Sequence, residues 1–240
     1  MKTLKKSQLP VLNTVLVQNG RSTQTNTDIE ISYPSTLPAG RYHAEGFNTY
    51  PTLVTDTYES NKLPKNINLG NHIMNAVINT DSLQYVSAGM SKEETRYYLC
   101  GVCFVENDIV ATNGHILFME KTEHDFKGQW IMPSETVKYV LAICKEQKVK
   151  SFNLEIHDMG FRITINGIVE IVSKRIDGTF PDYTRVIPEI KTEGKNFNPA
   201  CVDMKRLKVM AKIDNKKEIV VKIEVDGRIL YDSKPVGHAG

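Results

Sequence analysis

The stretch Arg96-Tyr-Tyr-Leu-Cys-Gly-Val-Cys-Phe-Val-Glu-Asn-Asp-Ile-Val-Ala-Thr-Asn-Gly-His-Ile-Leu-Phe-Met119 decides how the rest of the chain is read. Its apolar positions fall into two runs, 98–105 and 109–119, and the Glu106-Asn107-Asp108 between them are residue types that favour a tight turn. The pattern predicts a β-hairpin. Inside the second run, Thr112-Asn113-Gly114-His115 puts two residues tolerant of positive φ beside a polar ring, so a kink that exposes side chains is expected there.

On the C-terminal side, Ser134 is read as the N-cap of a helix after Pro133, with Val137, Val140, Leu141 and Cys144 on its buried stripe. Phe152-Asn-Leu-Glu-Ile156 and Phe161-Arg-Ile-Thr-Ile165 alternate as strands around Asp158-Met-Gly160, and a further strand over 168–172 follows Asn166-Gly167. On the N-terminal side, Leu69, Ile73, Ala76 and Val77 recur at helical spacing and predict a helix from Leu69 to about Val86, which Asn79-Thr-Asp-Ser82 ends or kinks.

The two ends are less regular. Residues 1–66 carry no helical pattern; Val15-Leu-Val17 and Ile29-Glu-Ile31-Ser-Tyr33 read as strands joined by a polar loop over 19–27, and Leu37-Pro-Ala-Gly40 ends their pairing. Beyond 190, Asn198-Pro199 supply an N-cap and an N1 proline for a helix to about Ala211, and Ile219-Val-Val221-Lys-Ile223-Glu-Val225 alternates into a turn at Asp226-Gly227. The three helix starts, Leu69, Ser134 and Pro199, are each 65 residues apart. A unit of one helix and several strands is therefore expected to recur, and two such units close a core that one cannot. The fold class is α+β.

Composition narrows the function. Of 240 residues, 40% are hydrophobic and 24% charged, as in soluble globular proteins, and no apolar run approaches the roughly 18 residues of a membrane span. Met1-Lys-Thr-Leu-Lys-Lys has basic residues with no apolar core behind them, so a cytoplasmic location is expected. A net charge of +2 gives no bulk signature of nucleic-acid binding, which leaves any such contact to local placement. Cys100 and Cys103 have the gap of a zinc knuckle, but in a strand they point to opposite faces and no second pair lies at ligand spacing. Reduced thiols, with no metal and no cofactor, are expected. His115 with Cys103 could suggest a thiol hydrolase, and Asp177 with Asp182 paired carboxylates; neither set has a phosphate loop, metal signature or triad behind it, so no enzyme is expected.

Three segments, Arg96-Tyr-Tyr-Leu-Cys-Gly, Val110-Ala-Thr-Asn-Gly-His-Ile-Leu117 and Arg175-Ile-Asp-Gly-Thr-Phe-Pro-Asp-Tyr-Thr-Arg-Val-Ile-Pro188, resemble in order and spacing the signatures of the middle domain of the bacterial DNA sliding clamp, the beta subunit of DNA polymerase III. Leu9-Pro-Val-Leu-Asn13 and Thr25-Asn-Thr-Asp-Ile-Glu30 resemble segments of that family's first domain, here without the helix that precedes them. The resemblance implies a DNA-clamp fold with about two clamp domains per chain. One complete domain is expected over 67–190. A partial domain of strands over 1–66 is expected to be completed by the half domain over 191–240, within one chain or across a subunit boundary.

The resemblance also implies a ring-shaped processivity factor for DNA replication that encircles duplex DNA without reading its sequence. The ring would tether polymerase and clamp loader through a hydrophobic cleft that takes short peptide motifs. Position by position, the cleft maps to Leu99, Thr112, Gly114, His115, Leu117, Pro181, Arg185 and Val186; Ile116 and Asn113 stand where the family usually has arginine and aspartate. Arg96, Tyr97 and Tyr98 match a loop that touches the duplex, and Lys138, Lys145, Lys205, Arg206, Lys208 and Lys212 would add positive charge to the ring interior, although each lysine alone reads as an ordinary solvated residue. Six domains per ring make a trimer the arithmetic expectation for the homo-oligomer, over a dimer. The alternative is a clamp homologue that forms no ring and regulates replication by binding clamp partners or a host clamp. The absent first helix and an ending of Lys234-Pro-Val-Gly-His-Ala-Gly240, in place of the family's apolar tail, favour that alternative.

Overall fold

Short runs with an apolar side chain at every second position build most of the molecule. The computed structural model describes residues 2–54 and 67–187, together with the backbone of two short strands at 221–223 and 229–231. The strands are β1 (Thr14–Gln18), β2 (Arg21–Thr25), β3 (Ile29–Pro34), β4 (Gly40–His43), β5 (His72–Asn79), β6 (Gly101–Thr112), β7 (Leu117–Pro133), β8 (Ser151–His157), β9 (Gly160–Ile165), β10 (Val169–Lys174), β11 (Val221–Ile223) and β12 (Ile229–Tyr231). Helices α1 (Thr80–Ser87) and α2 (Ser134–Gln147) complete the set. The chain divides into two compact units, Met1–Phe180 and Pro181–Gly240.

In the first unit, eight strands form one antiparallel sheet in the order β4-β1-β2-β3-β10-β9-β8-β5. β3 meets β10 with Ile31 opposite Ile171, so the N-terminal strands extend the sheet built by the middle of the chain. The Lys174 ammonium and the Asp28 carboxylate close that seam at 2.9 Å. Ile78, Leu154, Ile163 and Ile171 from the sheet pack with Leu83 and Val86 of α1, Val137, Val140 and Ile143 of α2, and Phe104 and Phe126 of the β6–β7 hairpin. Each side chain of this size contributes about 1.5–3 kcal/mol on burial. A separate small cluster joins Val15 and Val17 of β1 to Tyr42 and Phe47.

The later strands and the second helix match the reading from sequence. The tight turn between β9 and β10 has Asn166 and Gly167 at φ 55° and 66°, the left-handed pair that such a hairpin requires. Helix α2 opens at Ser134, but the capping position is Pro133, which has no side-chain hydrogen bond to offer; Ser134 N–H donates instead to Cys100 O at 2.9 Å. Val137, Val140 and Cys144 are fully buried as expected, while Leu141 is only partly covered.

Five expectations change. The helix placed at Leu69 is strand β5, in which Ala76 and Ile78 are buried in alternation, and Asn79 begins the helix at Thr80 by accepting from Asp81 N (2.7 Å) and Ser82 N (3.4 Å). The even spacing of helix starts fails with it. The hairpin reverses at 113–116, not at Glu106-Asn107-Asp108; Glu106, at φ 49°, sits instead at a register shift inside β6. That is a bulge, which reorients the strand without ending it. The polar loop over 19–27 contains β2, whose buried faces are Ser22 and Gln24, and pairing resumes after Gly40 because β4 pairs with β1.

In the second unit, β11 lies inside the strand expected over 219–225 and pairs antiparallel with β12. The helix expected from Pro199 and the turn at Asp226-Gly227 lie outside the described residues.

Candidate functional site

The reversal of the β6–β7 hairpin is built from side-chain oxygens. Asn113 Oδ1 accepts from the His115 and Ile116 N–H groups at 2.9 and 3.0 Å, and the Thr112 hydroxyl accepts from Gly114 N (3.0 Å) while donating to Ile116 O (2.8 Å). Asparagine supplies here one acceptor oxygen for two of the turn's N–H groups. Gly114 stands at φ 84°, where a side chain would be strained. Gly114 and His115 are exposed, Thr112, Ile116 and Leu117 half-buried, and Leu99 buried at the end of the neighbouring loop.

That loop, Glu94–Leu99, is a pair of 3-10 turns broken at Arg96 (φ −110°, ψ 53°). A methyl group added to Gly114 would come within 2.8 Å of Arg96 Nη1, so one tip of the guanidinium reaches the bare side of the hairpin turn. On the far side a methyl at Gly178 would come within 3.0 Å of Tyr98 Cβ and 3.2 Å of Tyr97 Cε2. Two glycines therefore let the loop sit closely between the turn and the segment after β10. That segment is anchored by Ile176 N–H to Ile131 O (2.9 Å) and by Arg175 over the Trp130 ring at 5.4 Å. The Tyr97 and Tyr98 rings meet edge to face at 5.7 Å, and Tyr97 keeps 52% of its surface open. Arg96 pairs with Glu93 at 3.6 Å. The result is an aromatic ledge with one adjacent cation.

Lys138 and Lys145 are both exposed on α2, two helical turns apart and so on one face. Lys205, Arg206, Lys208 and Lys212 lie outside the described residues. Leu99, Thr112, Gly114, His115 and Leu117 belong to the first unit, where the hairpin turn and the Arg96 loop bring them together. Pro181, Arg185 and Val186 belong to the second unit and are exposed there. In that unit Asp182 accepts from Thr184 Oγ1 (2.6 Å) and Arg185 Nε (2.8 Å), and the Thr184 hydroxyl foremost, with Arg185, holds its carboxyl below the ordinary carboxylate range.

The residues that could suggest chemistry have other environments. Burial pushes the Cys103 thiol up to about 12, so it stays protonated and poorly nucleophilic; His115 is exposed at the hairpin turn. Burial also raises the thiols of Cys144 and of Cys100, the latter further by the Glu94 charge. Asp177 is almost fully exposed, with Arg175 at 3.7 Å as its partner. Among the described residues no group of three or more His, Cys, Asp or Glu is placed to hold a metal ion, and no helix is long and apolar enough to cross a membrane. Sequence reasoning did not single out Glu93 or Gly178. Gly178 lies inside a segment quoted above for its pattern alone, and Glu93 carries no local signal.

No model of a known protein family matches the sequence. The beta sliding clamp of Rickettsia bellii is 35% identical over 112 residues, covering 42% of this chain and 29% of that protein. That of Vibrio cholerae is 31% identical over 126 residues, 49% of this chain and 33% of that protein. The chain thus spans about a third of the length of these curated relatives. Among solved structures, the beta subunit of DNA polymerase III from Thermotoga maritima superposes with a TM-score of 0.62 at 16% identity, over 96% of this chain and 77% of that one. A sliding clamp from Bartonella birtlesii gives 0.64 at 22% identity, over 78% and 63%. The α+β fold, helices packed on antiparallel sheets, is that of the clamps.

Proposed function

Because the chain is a homologue of the bacterial beta sliding clamp, we propose that it is a processivity factor of DNA replication: a cytoplasmic, non-enzymatic ring that encircles duplex DNA and tethers polymerase and clamp loader by their short peptide motifs. Arg96, Tyr97 and Tyr98, with Lys138, Lys145, Lys205, Arg206, Lys208 and Lys212, touch the sugar–phosphate backbone without reading sequence. Leu99, Thr112, Gly114, His115, Leu117, Pro181, Arg185 and Val186 receive the peptide. The observation that carries this reading is the close seating of the Arg96–Tyr98 ledge against the 112–117 turn, which puts two of the three signature segments side by side.

Residues 67–190 make one clamp domain in this account, and residues 1–66 with 191–240 make the other, within one chain or between copies. The state of the N-terminal sheet supports this. Its described part, residues 2–54, has no α-helix, and a groove of about 500 Å³ lined by Leu4, Val11, Gln24, Arg41, Ala44 and Val54 lies open beside it. Two domains per chain then close a six-domain ring with three copies. Light scattering on the purified protein tests the assembly. Three copies of the 27.1 kDa chain are expected, and a strictly monomeric particle at micromolar concentration would contradict the ring.

A further inference from the structure

The sheet of the first unit has two edges, and they are finished differently. Beside β4, residues 52–54 add a further rung: His43 N–H donates to Thr52 O at 3.0 Å and Val54 N–H to Arg41 O at 2.8 Å. Beside β5 no described strand follows. Val77 of β5 lies opposite Asn153 of β8, and its backbone N and O are both 3.1 Å from His124 Nε2. One neutral tautomer of the imidazole accepts from the N–H and the other donates to the C=O, so either form closes one bond. Asn75, next in phase along the ladder, turns its own N–H and C=O toward the same open edge.

The register of the β6–β7 hairpin explains how His124 reaches that edge. Glu106 pairs with Phe126 and Asp108 with Lys121, so the four residues 122–125 oppose Asn107 alone and bulge out of the ladder. Asn107 Nδ2 donates to His124 O at 3.1 Å, the Thr122 hydroxyl accepts from His124 N–H at 2.9 Å, and the His124 and Phe126 rings lie 6.0 Å apart. These contacts hold the imidazole at Val77.

Strand β5 has little protection of its own. Natural edges are blunted by charge, proline or a covering loop. His72–Asn79 contains no Asp, Glu, Lys, Arg or Pro, and its Ile73 and Val77 are 36% and 56% exposed. Two copies of such a strand can meet antiparallel about a twofold with no like charges opposed. The charge that β5 lacks is next to His124, in exposed Glu123 and Asp125.

We propose that the 122–125 bulge is an edge plug, which keeps β5 from pairing with β5 of a second copy of this chain: His124 occupies the Val77 backbone groups, and Glu123 and Asp125 repel the approaching copy. The plug does not depend on the DNA and peptide roles proposed above.

Amide-resolved hydrogen exchange and light scattering on the full chain test it. In dilute His124→Phe, which keeps a ring beside Phe126 without the nitrogen, the Val77 amide exchanges about five-fold faster than in the parent, the effect of losing one ordinary hydrogen bond. Glu123→Gln/His124→Phe/Asp125→Asn, which also removes the two charges, grows with concentration to at least twice the parent's mass, whatever number of copies the parent itself assembles. Adding Val77→Lys sets like charges against each other across the twofold and returns the particle to the parent's mass, a reversal that a misfolded aggregate would not show. An unchanged Val77 amide in His124→Phe, a triple variant that keeps the parent's mass, or growth that Val77→Lys does not reverse would each overturn the plug.

Discussion

Residues 72–174 and residues 14–54 both contribute antiparallel strands to one sheet, yet their interiors differ. The first region covers its strands with two helices and a long hairpin, and most of its inward side chains have no exposed surface. The second sends Ile29, Ile31 and Tyr33 of β3 into that same core, but beyond β3 it has only a small cluster, Val15, Val17, Tyr42 and Phe47, and fills β2 with buried Ser22 and Gln24. A sheet covered by two helices supplies its own core. The outer strands β1, β2 and β4 are covered by far less apolar surface.

Core truncation separates the regions most. Phe126→Ala, at a fully buried ring that meets Phe104 edge to face at 5.3 Å, is expected to cost about 3–5 kcal/mol in urea unfolding. Phe47→Ala, in the small cluster, is expected to cost under about half of that, because only three other buried side chains surround it there. Equal losses would break the contrast.

Alkaline pH should act on both regions. Burial holds Tyr33 of β3 and Cys103 of β6 neutral, with both groups pushed up to about 12. The unfolded chain releases these protons near 10 and 9, so the stability they lend is complete below those values and is lost as pH rises through 12. Thiol alkylation at mildly alkaline pH should spare Cys103 until the protein unfolds. Rapid labelling of the native protein would contradict that environment.

Asn79→Ala removes the cap of α1 and should lower stability by about 1 kcal/mol, read in the same urea titration. The smallest effect falls at the seam. Asp28→Asn breaks a pair whose side chains are both at least half exposed, and should cost no more than about 0.5 kcal/mol. A larger loss would mean that the ion pair, and not the β3–β10 backbone ladder, holds the regions together.

Legibility in the sequence followed the same division. The turn at Asn166-Gly167 and the stripe of α2 were readable because one local signal, a positive-φ pair or a repeat near 3.6, decides each. Strand β5 was misread because Ile73, Ala76 and Val77 fit a helical spacing as well as Ala76 and Ile78 fit alternation, and only the cap at Asn79 separates the two. Strand β2 was invisible, since hydropathy has nothing to say about Arg-Ser-Thr-Gln-Thr buried by its neighbours. The hairpin was foreseen but its reversal was put at the wrong polar cluster: Glu106-Asn107-Asp108 and Thr112-Asn113-Gly114-His115 both look like turns, and only the strand register picks the second. Within the site, Arg96, Gly114 and the tyrosine pair stood out in their segments, but the approach of Arg96 to Gly114 and of the tyrosines to Gly178 joins separate segments of the chain.

The central claim is that the protein holds DNA by topology. Its most direct test is retention of the loaded protein on a closed circular duplex before and after one linearising cut. The account predicts stable retention on the circle at salt concentrations that abolish ordinary phosphate contacts, with prompt release after the cut. Equal retention on both forms, or none on either, would contradict it.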